Sequence, residues 1–312
     1  MKVLVTGASG FTGMQMIRLL TTEPTVTLYA LTRNPVIYGK FPDSVTCLNA
    51  NLTDSVKVAK TIQSVCPDAI IHLAALNRGS LENLLATNVI GTRNLLEAAL
   101  TANPACRILV VSSSAVYGYA GQKPVSEGTR LKPLNDYGVS KAAQEHLAFT
   151  YHAAHDAQVV IARPFNLIGP GLPDSFVCGK IVRQAVEMER DLRNTFDLGE
   201  TISSRDFIDV RDAVKAYLAI LSHPDFSRKC TGTVFNVGSG TARTIQDILA
   251  AIGKITGKTC HIRPPEKSRA AILPFQQADI VRVRKTTGWN PQIPFVESLE
   301  DMLTAVRSGQ FL

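Results

Sequence analysis

From residue 2 to residue 163, apolar runs of strand length alternate with longer segments of helical period, and this alternation constrains the fold more than any other feature of the chain. Strands joined through helices run parallel, and a parallel sheet needs helices on both faces to bury it. The strand-length runs fall at residues 2–6, 26–32, 45–49, 69–73, 107–112 and 158–163. Helical periods occupy 11–21, 54–65, 81–101 and 135–155, the last two long enough to span the flank of a sheet. The predicted fold class is α/β, a doubly wound parallel sheet. After Arg163-Pro164, Pro and Gly crowd into residues 164–173, which marks a boundary near 165. Residues 207–221 read as a helix and 233–237 as a strand. The region 166–312 is therefore expected to form a smaller part with segments returning to the sheet.

With 312 residues, 45% of them hydrophobic and 19% charged, the chain can bury a large core. Its net charge is +7, but the basic residues are scattered and aromatics make up only 6%, so no nucleic-acid stripe is present. A phosphorylated small-molecule ligand accounts for the charge better. The 6 cysteines form no C-x-x-C pair and have no histidine at zinc-finger spacing, so reduced thiols and no metal are expected. His146, His152 and His155 share one helical segment without an acidic cluster and read as surface residues. No run reaches transmembrane length and the first apolar run is too short for a signal peptide. A cytoplasmic protein with no membrane partner is expected.

The first strand leads directly into Thr6-Gly7-Ala8-Ser9-Gly10-Phe11-Thr12-Gly13 and then into a helical period. Glycines here permit a tight turn and let backbone N–H groups and the helix N-terminus approach a pyrophosphate. Farther on, Tyr137 and Lys141 stand at i and i+4, on one helix face. An ammonium beside a phenol lowers its pKa toward working pH, which suits the tyrosine to donate a proton to a carbonyl oxygen. Ser113, in Val111-Ser112-Ser113-Ser114-Ala115-Val116-Tyr117-Gly118 at the end of the fifth strand, can hydrogen-bond the same oxygen.

The spacing Gly7-x-x-Gly10-x-x-Gly13 resembles the T-G-x-x-G-x-x-G motif of the short-chain dehydrogenase/reductase superfamily. Together with His72-Leu73-Ala74-Ala75, Asn88 ahead of Gly91-Thr92, and Tyr137-Gly138-Val139-Ser140-Lys141, the chain resembles the extended branch of that family over most of its length. The resemblance implies a Rossmann domain at 1–165 that binds a nicotinamide cofactor. Its implied contacts are Gly7, Ser9, Gly10, Phe11, Thr12, Gly13, Asn51, Leu52, Leu73, Ala74, Ala75, Asn88, Tyr137, Lys141 and Arg163. Ser113, Tyr137 and Lys141 become the catalytic set, Ser113 being picked from the three serines by alignment on Val116-Tyr117-Gly118. Where NAD-preferring relatives carry an acid after the second strand, this chain reads Leu31-Thr32-Arg33-Asn34. An arginine can pair with a 2′-phosphate, so NADP(H) is favoured with NAD(H) still open. Asn51-Leu52 replaces the usual Asp-Leu, and asparagine still accepts a hydrogen bond.

On the substrate side, residues 162–171 and 204–212 resemble reductases of GDP-linked 4-keto-6-deoxymannose, and similar blocks occur in sugar 4-epimerases. The resemblance implies that Asn166, Arg205 and Arg269 face a nucleotide diphosphate and that Ser113 and Ser114 face the sugar. The usual Arg-Pro-Gly-Asp reads Arg269-Ala270-Ala271-Ile272 here, and Arg205 has a competing reading as an internal partner of Asp209 or Asp212. Ser114 and Ala115 stand where the family's dehydratases carry Asp-Glu, and alanine cannot act as an acid. The implied activity is an NAD(P)H-dependent reduction of a nucleotide-diphosphate 4-keto-6-deoxyhexose, the alternative a 4-epimerase with retained NAD. A regulator that only senses the cofactor would keep the glycines without needing Ser113, Tyr137 and Lys141. Similar enzymes pair the helices near 81–101 and 135–155 into a four-helix interface, which implies a homodimer. No rule reads the base or the hexose from residues 166–200.

Overall fold

The computed structural model of the chain describes residues 1–34, 41–199, 201–263 and 273–309. It opens with β1 (Lys2–Thr6), α1 (Phe11–Leu20), β2 (Thr27–Thr32), β3 (Val45–Asn49), α2 (Ser55–Val65) and β4 (Ala69–His72). There follow α3 (Leu81–Leu85), α4 (Gly91–Ala102), β5 (Arg107–Val111), α5 (Asp136–His155), β6 (Val159–Pro164) and β7 (Asn166–Ile168). The remainder runs through α6 (Val177–Glu189), β8 (Ser204–Asp209), α7 (Val210–Leu221), α8 (Phe226–Lys229), β9 (Val234–Val237) and β10 (Ala242–Thr244). It closes with α9 (Ile245–Thr256), β11 (Phe275–Gln276), α10 (Val281–Thr287) and α11 (Phe295–Arg307).

Seven strands form one parallel sheet in the order β3-β2-β1-β4-β5-β6-β9. Because side chains alternate across a strand, β1 feeds two cores. Val3 and Val5 pack with α1 and α7 on one face, and Leu4 packs with α2 and α4 on the other. The predicted doubly wound sheet is therefore present. Strand order reverses between β1 and β4, and at such a reversal a crevice opens beyond the carboxyl ends of the strands.

β9 lies beside β6, and α7 packs on α1, so parts of the chain beyond residue 165 complete the main sheet and its cover. A smaller sheet is built on β8. Its first half pairs with β10 antiparallel and β11 parallel, and its second half pairs with β7 in parallel. Phe207 of β8 joins α6, α9 and α11 in a third core.

Two elements differ from the sequence reading. Residues 207–221 are not one helix: β8 ends at Asp209, whose carboxylate caps α7 by accepting from the Arg211 N–H, and the helix begins at Val210. Apolar residues on both sides of that cap mimic a continuous helical period. The expected helix at 81–101 is interrupted by a π-helical turn, Ala86–Ile90, between α3 and α4. Such turns recur at functional sites, and this one carries Asn88.

Candidate active site

Around the switch between β1 and β4 a cavity of about 250 Å³ is lined by Gly7, Ser9 and Gly10, by Arg33, and by Asn51 and Leu52. Leu73, Ala74 and Ala75 close it from β4. The glycines are there for space. Gly7 has φ +66°, and a Cβ on it would lie 2.7 Å from the Ala74 nitrogen. On Gly13 a Cβ would lie 2.2 Å from the Gly7 carbonyl oxygen, so α1 could not seat on the loop. Gly10, the residue before α1, offers no side-chain cap. The first N–H groups of α1 therefore keep their capacity to bind an anion. This cradle fits a dinucleotide pyrophosphate.

Phe11, Thr12 and Gly13 form the first turn of α1 and carry these N–H groups. Asn88 is fully buried and works as a strut, its Oδ1 accepting from the Leu76 N–H at 2.8 Å. Its Nδ2 donates to the Leu76 carbonyl at 2.9 Å and to Ser140 Oγ at 2.9 Å. Arg163 is held from within the chain. Its guanidinium forms a buried pair with Glu145 at 2.5 Å and also donates to the Tyr117 hydroxyl at 2.9 Å and the Glu127 carbonyl. It stacks over the Tyr117 ring as well, and Arg163 is not among the residues that line the cavity.

Asn135 caps α5 by accepting from the Gly138 N–H at 2.8 Å, which fixes the first turn of the helix and Tyr137 on it. Ser112 and Ser114 are buried, at 2% and 6% exposure, whereas Ser113 is partly open. Ser113 Oγ accepts from the Ala115 N–H at 3.2 Å, which leaves its own hydrogen to donate. Burial pushes the Tyr137 pKa up, and Ser113 is the group that pulls it down. Lys141 is 2% exposed, and its Nζ donates to the Val111 carbonyl at 2.8 Å and to Gln144 Oε1 at 2.9 Å, leaving one N–H. Burial pulls its pKa down to about 7, against an opposing pull from Glu145.

Ser114, expected to face the sugar, instead donates to Gln276 Oε1 at 3.1 Å, while Gln276 Nε2 donates to the Ser114 carbonyl at 3.0 Å. Gln276 of β11 stands in register with Arg205 of β8, so this bridge ties the small sheet to the serine turn. Asn166 Nδ2 donates to the Asp206 carbonyl at 2.9 Å, and Arg205 Nη1 donates to the Ser204 carbonyl at 3.0 Å. Asp209 is bound by Arg211 and Ser298, and Asp212 accepts from the Gln292 and Ile293 N–H groups. Arg269 lies outside the described residues.

Sequence reasoning also passed over His72 as a functional side chain, together with Thr6, Thr92, Gln144 and Gln276, all five buried. The signal for His72 was its place at the end of an otherwise apolar strand. Among the described residues, no helix is long and apolar enough to cross a membrane.

The family model of GDP-mannose 4,6 dehydratase matches residues 4–302. The chain is 34% identical to the GDP-6-deoxy-D-mannose reductase of Pseudomonas aeruginosa, over 97% of this chain and 96% of that protein. It is 27% identical to a UDP-glucose 4-epimerase of Lactobacillus helveticus, over 97% and 95% of the two chains. Among solved structures it is similar to RMD from Pseudomonas aeruginosa complexed with NADPH, with a TM-score of 0.85, 30% identity and 99% of each chain covered.

Proposed function

The chain belongs to the GDP-mannose 4,6-dehydratase family, within the extended short-chain dehydrogenase/reductases, and from that membership we propose that it reduces the C4 keto group of a nucleotide-diphosphate 4-keto-6-deoxyhexose with NADPH. An NAD(P)-dependent oxidoreductase acting on a nucleotide sugar is the activity that family membership carries. Reduction rather than epimerisation rests on one observation. Arg33 is exposed at the rim of the cavity that Gly7 and Gly10 line, where a cation suits a 2′-phosphate and an acid would repel it. A reductase needs a diffusible reduced cofactor, whereas an epimerase cycles a retained one. The similarity to an enzyme described with NADPH supports the same reading.

Residues 1–165 would hold the cofactor and most of 166–312 the nucleotide sugar. When bound, NADPH supplies the hydride that reduces C4. Tyr137 gives its phenolic proton to the ketone oxygen as that oxygen gains charge, and Ser113 donates a hydrogen bond to the same oxygen. Lys141, with one N–H uncommitted, would hold the nicotinamide ribose. Asn166, Arg205 and Arg269 take the diphosphate, and Ser114 acts only through its bridge to Gln276. Ser114 and Ala115 leave no acid-base pair for eliminating water, which sets this chain apart from the dehydratases that name the family. A homodimer through α3–α4 and α5 is part of the proposal, since Ile90 and Val139 expose apolar surface there, at 47% and 41%. Light scattering that gave a monomer at micromolar concentration would remove that part.

The test of the activity is direct. Purified protein is incubated with NADPH or NADH and a panel of nucleotide 4-keto-6-deoxysugars, following loss of reduced cofactor and appearance of the 6-deoxysugar. Interconversion of C4 epimers without cofactor consumption would instead identify an epimerase.

A further inference from the structure

A single line of buried hydrogen bonds runs from the glycine loop to Lys141, and its direction can be deduced. The Thr92 hydroxyl donates to the Asn88 carbonyl at 2.7 Å, which uses its only hydrogen. Its lone pairs then receive Gln144 Nε2 at 2.7 Å and His72 Nε2 at 2.8 Å, so His72 must carry its proton on Nε2. His72 Nδ1 is left as an acceptor, and the Thr6 hydroxyl, 2.7 Å away, donates to it. Thr6 Oγ1 accepts in turn from the Ala74 N–H at 3.2 Å, in the wall of the dinucleotide cavity. At the other end, Gln144 has turned its NH2 to Thr92 and can present only Oε1 to Lys141. The direction of each bond in the line is thereby set.

Such a chain does not conduct protons, because it ends at a backbone N–H rather than at solvent and every member would have to reverse. It does fix an orientation. We propose that Gln144 is a positioning residue for Lys141, held with its carbonyl toward the ammonium by the one-way chain Thr6–His72–Thr92. With Gln144 flipped, its NH2 would oppose the ammonium, and Thr92 would be left with two acceptors facing each other. Lys141 is surrounded by Glu145 on its own helix, itself paired with Arg163 of β6, by Tyr137 one turn earlier and by neutral His72 on β4. Gln144 Oε1 and the Val111 carbonyl are therefore its direct neutral acceptors. The inference uses the role of Lys141 from the proposed function, but the chain of bonds stands without it.

The experiment is a titration of 13Cε-labelled lysine by NMR on the intact protein, with Lys141→Met identifying the resonance. It needs no sugar substrate, so its outcome is separate from the identity of the reaction. Gln144→Leu removes an acceptor from a buried cation, and the Lys141 midpoint should fall by about one unit, the worth of a charge-assisted hydrogen bond. The isosteric Gln144→Glu puts a carboxylate against the ammonium, and the midpoint should rise by at least as much. Opposite movements are expected, which a merely structural side chain would not produce. If Gln144→Leu does not fold, the glutamate variant decides alone. Midpoints unchanged in the folded variants, or imidazole 15N shifts that put the His72 proton on Nδ1, would overturn the proposal.

Discussion

Protonating His72 should cost this protein a large part of its stability, and the size of the effect can be worked from its surroundings. The imidazole is 1% exposed and bridges Thr6 and Thr92. Burial, helped by the nearby Lys141 charge, pulls its pKa from 6.5 down to about 3. In the unfolded chain the ring takes up a proton near pH 6.5, whereas in the folded chain it stays neutral until about pH 3. The contribution is therefore fully present above pH 6.5 and is lost progressively as pH falls toward 3. A difference of three and a half units at ~1.4 kcal/mol each gives a total of about 5 kcal/mol, comparable with the whole stability of many domains. Lys141 titrates in a higher window, between about 7 and its ordinary 10.5, and is common to the two proteins compared.

Carboxylates also titrate in acid, so the measurement is a difference. Denaturant unfolding of wild type and His72→Gln is followed from about pH 7.5 down to about pH 4.5. The variant starts less stable because it loses one of the threonine bridges, but its curve should be flatter by about 3 kcal/mol over that interval. Parallel curves would show that His72 titrates as an ordinary histidine and that the burial argument fails.

Tyr137→Phe should lower kcat by about a hundredfold to ten-thousandfold with cofactor binding nearly intact, and Ser113→Ala should be milder, both read from steady-state kinetics. Near-normal turnover in the phenylalanine variant would rule out Tyr137 as proton donor. Arg33→Asp should weaken NADPH binding at least ~tenfold more than NADH binding in calorimetric titrations, and equal losses would remove the case for NADP(H). Glu145→Gln leaves the Arg163 charge buried with half a partner and should cost about 3 kcal/mol, seen as a melting point lower by several degrees. A melting point unchanged within error would mean that the pair carries no net weight.

Much of the frame was legible because it is local. The six strand-length apolar runs became β1 to β6 with ends moved by a residue, since a strand buried on both faces must be continuously apolar. The glycine loop was legible because only glycine fits where a Cβ would strike Ala74 or Gly7. What escaped depends on partners far away in the chain. Arg163 sits in the right motif, yet Glu145 and Tyr117 claim its guanidinium. Gln276 gave no sign that it would meet Ser114 across 162 residues. The break at Asp209 escaped for a different reason: a cap between two apolar stretches leaves the periodicity of both intact.

The register of the sheet explains why the two halves of the site can share one buried chain. Thr6 at the end of β1 is paired with His72 at the end of β4, and His72 with Val110 in β5, so three adjacent strands end within one residue of the same level. The glycine loop leaves from the first and the serine turn from the third, and Lys141 reaches the Val111 carbonyl one residue beyond that level. A polar residue at the end of a central strand is normally a cost, because no water reaches it. Here the reversal of strand order leaves β1 and β4 with both of their ends facing the same crevice. Thr6 and His72 can therefore satisfy each other, and the remaining imidazole N–H is directed into the helices that carry Thr92 and Gln144. A substitution at His72 should accordingly be felt at both the cofactor loop and Lys141, although His72 lies outside the lining of the dinucleotide cavity.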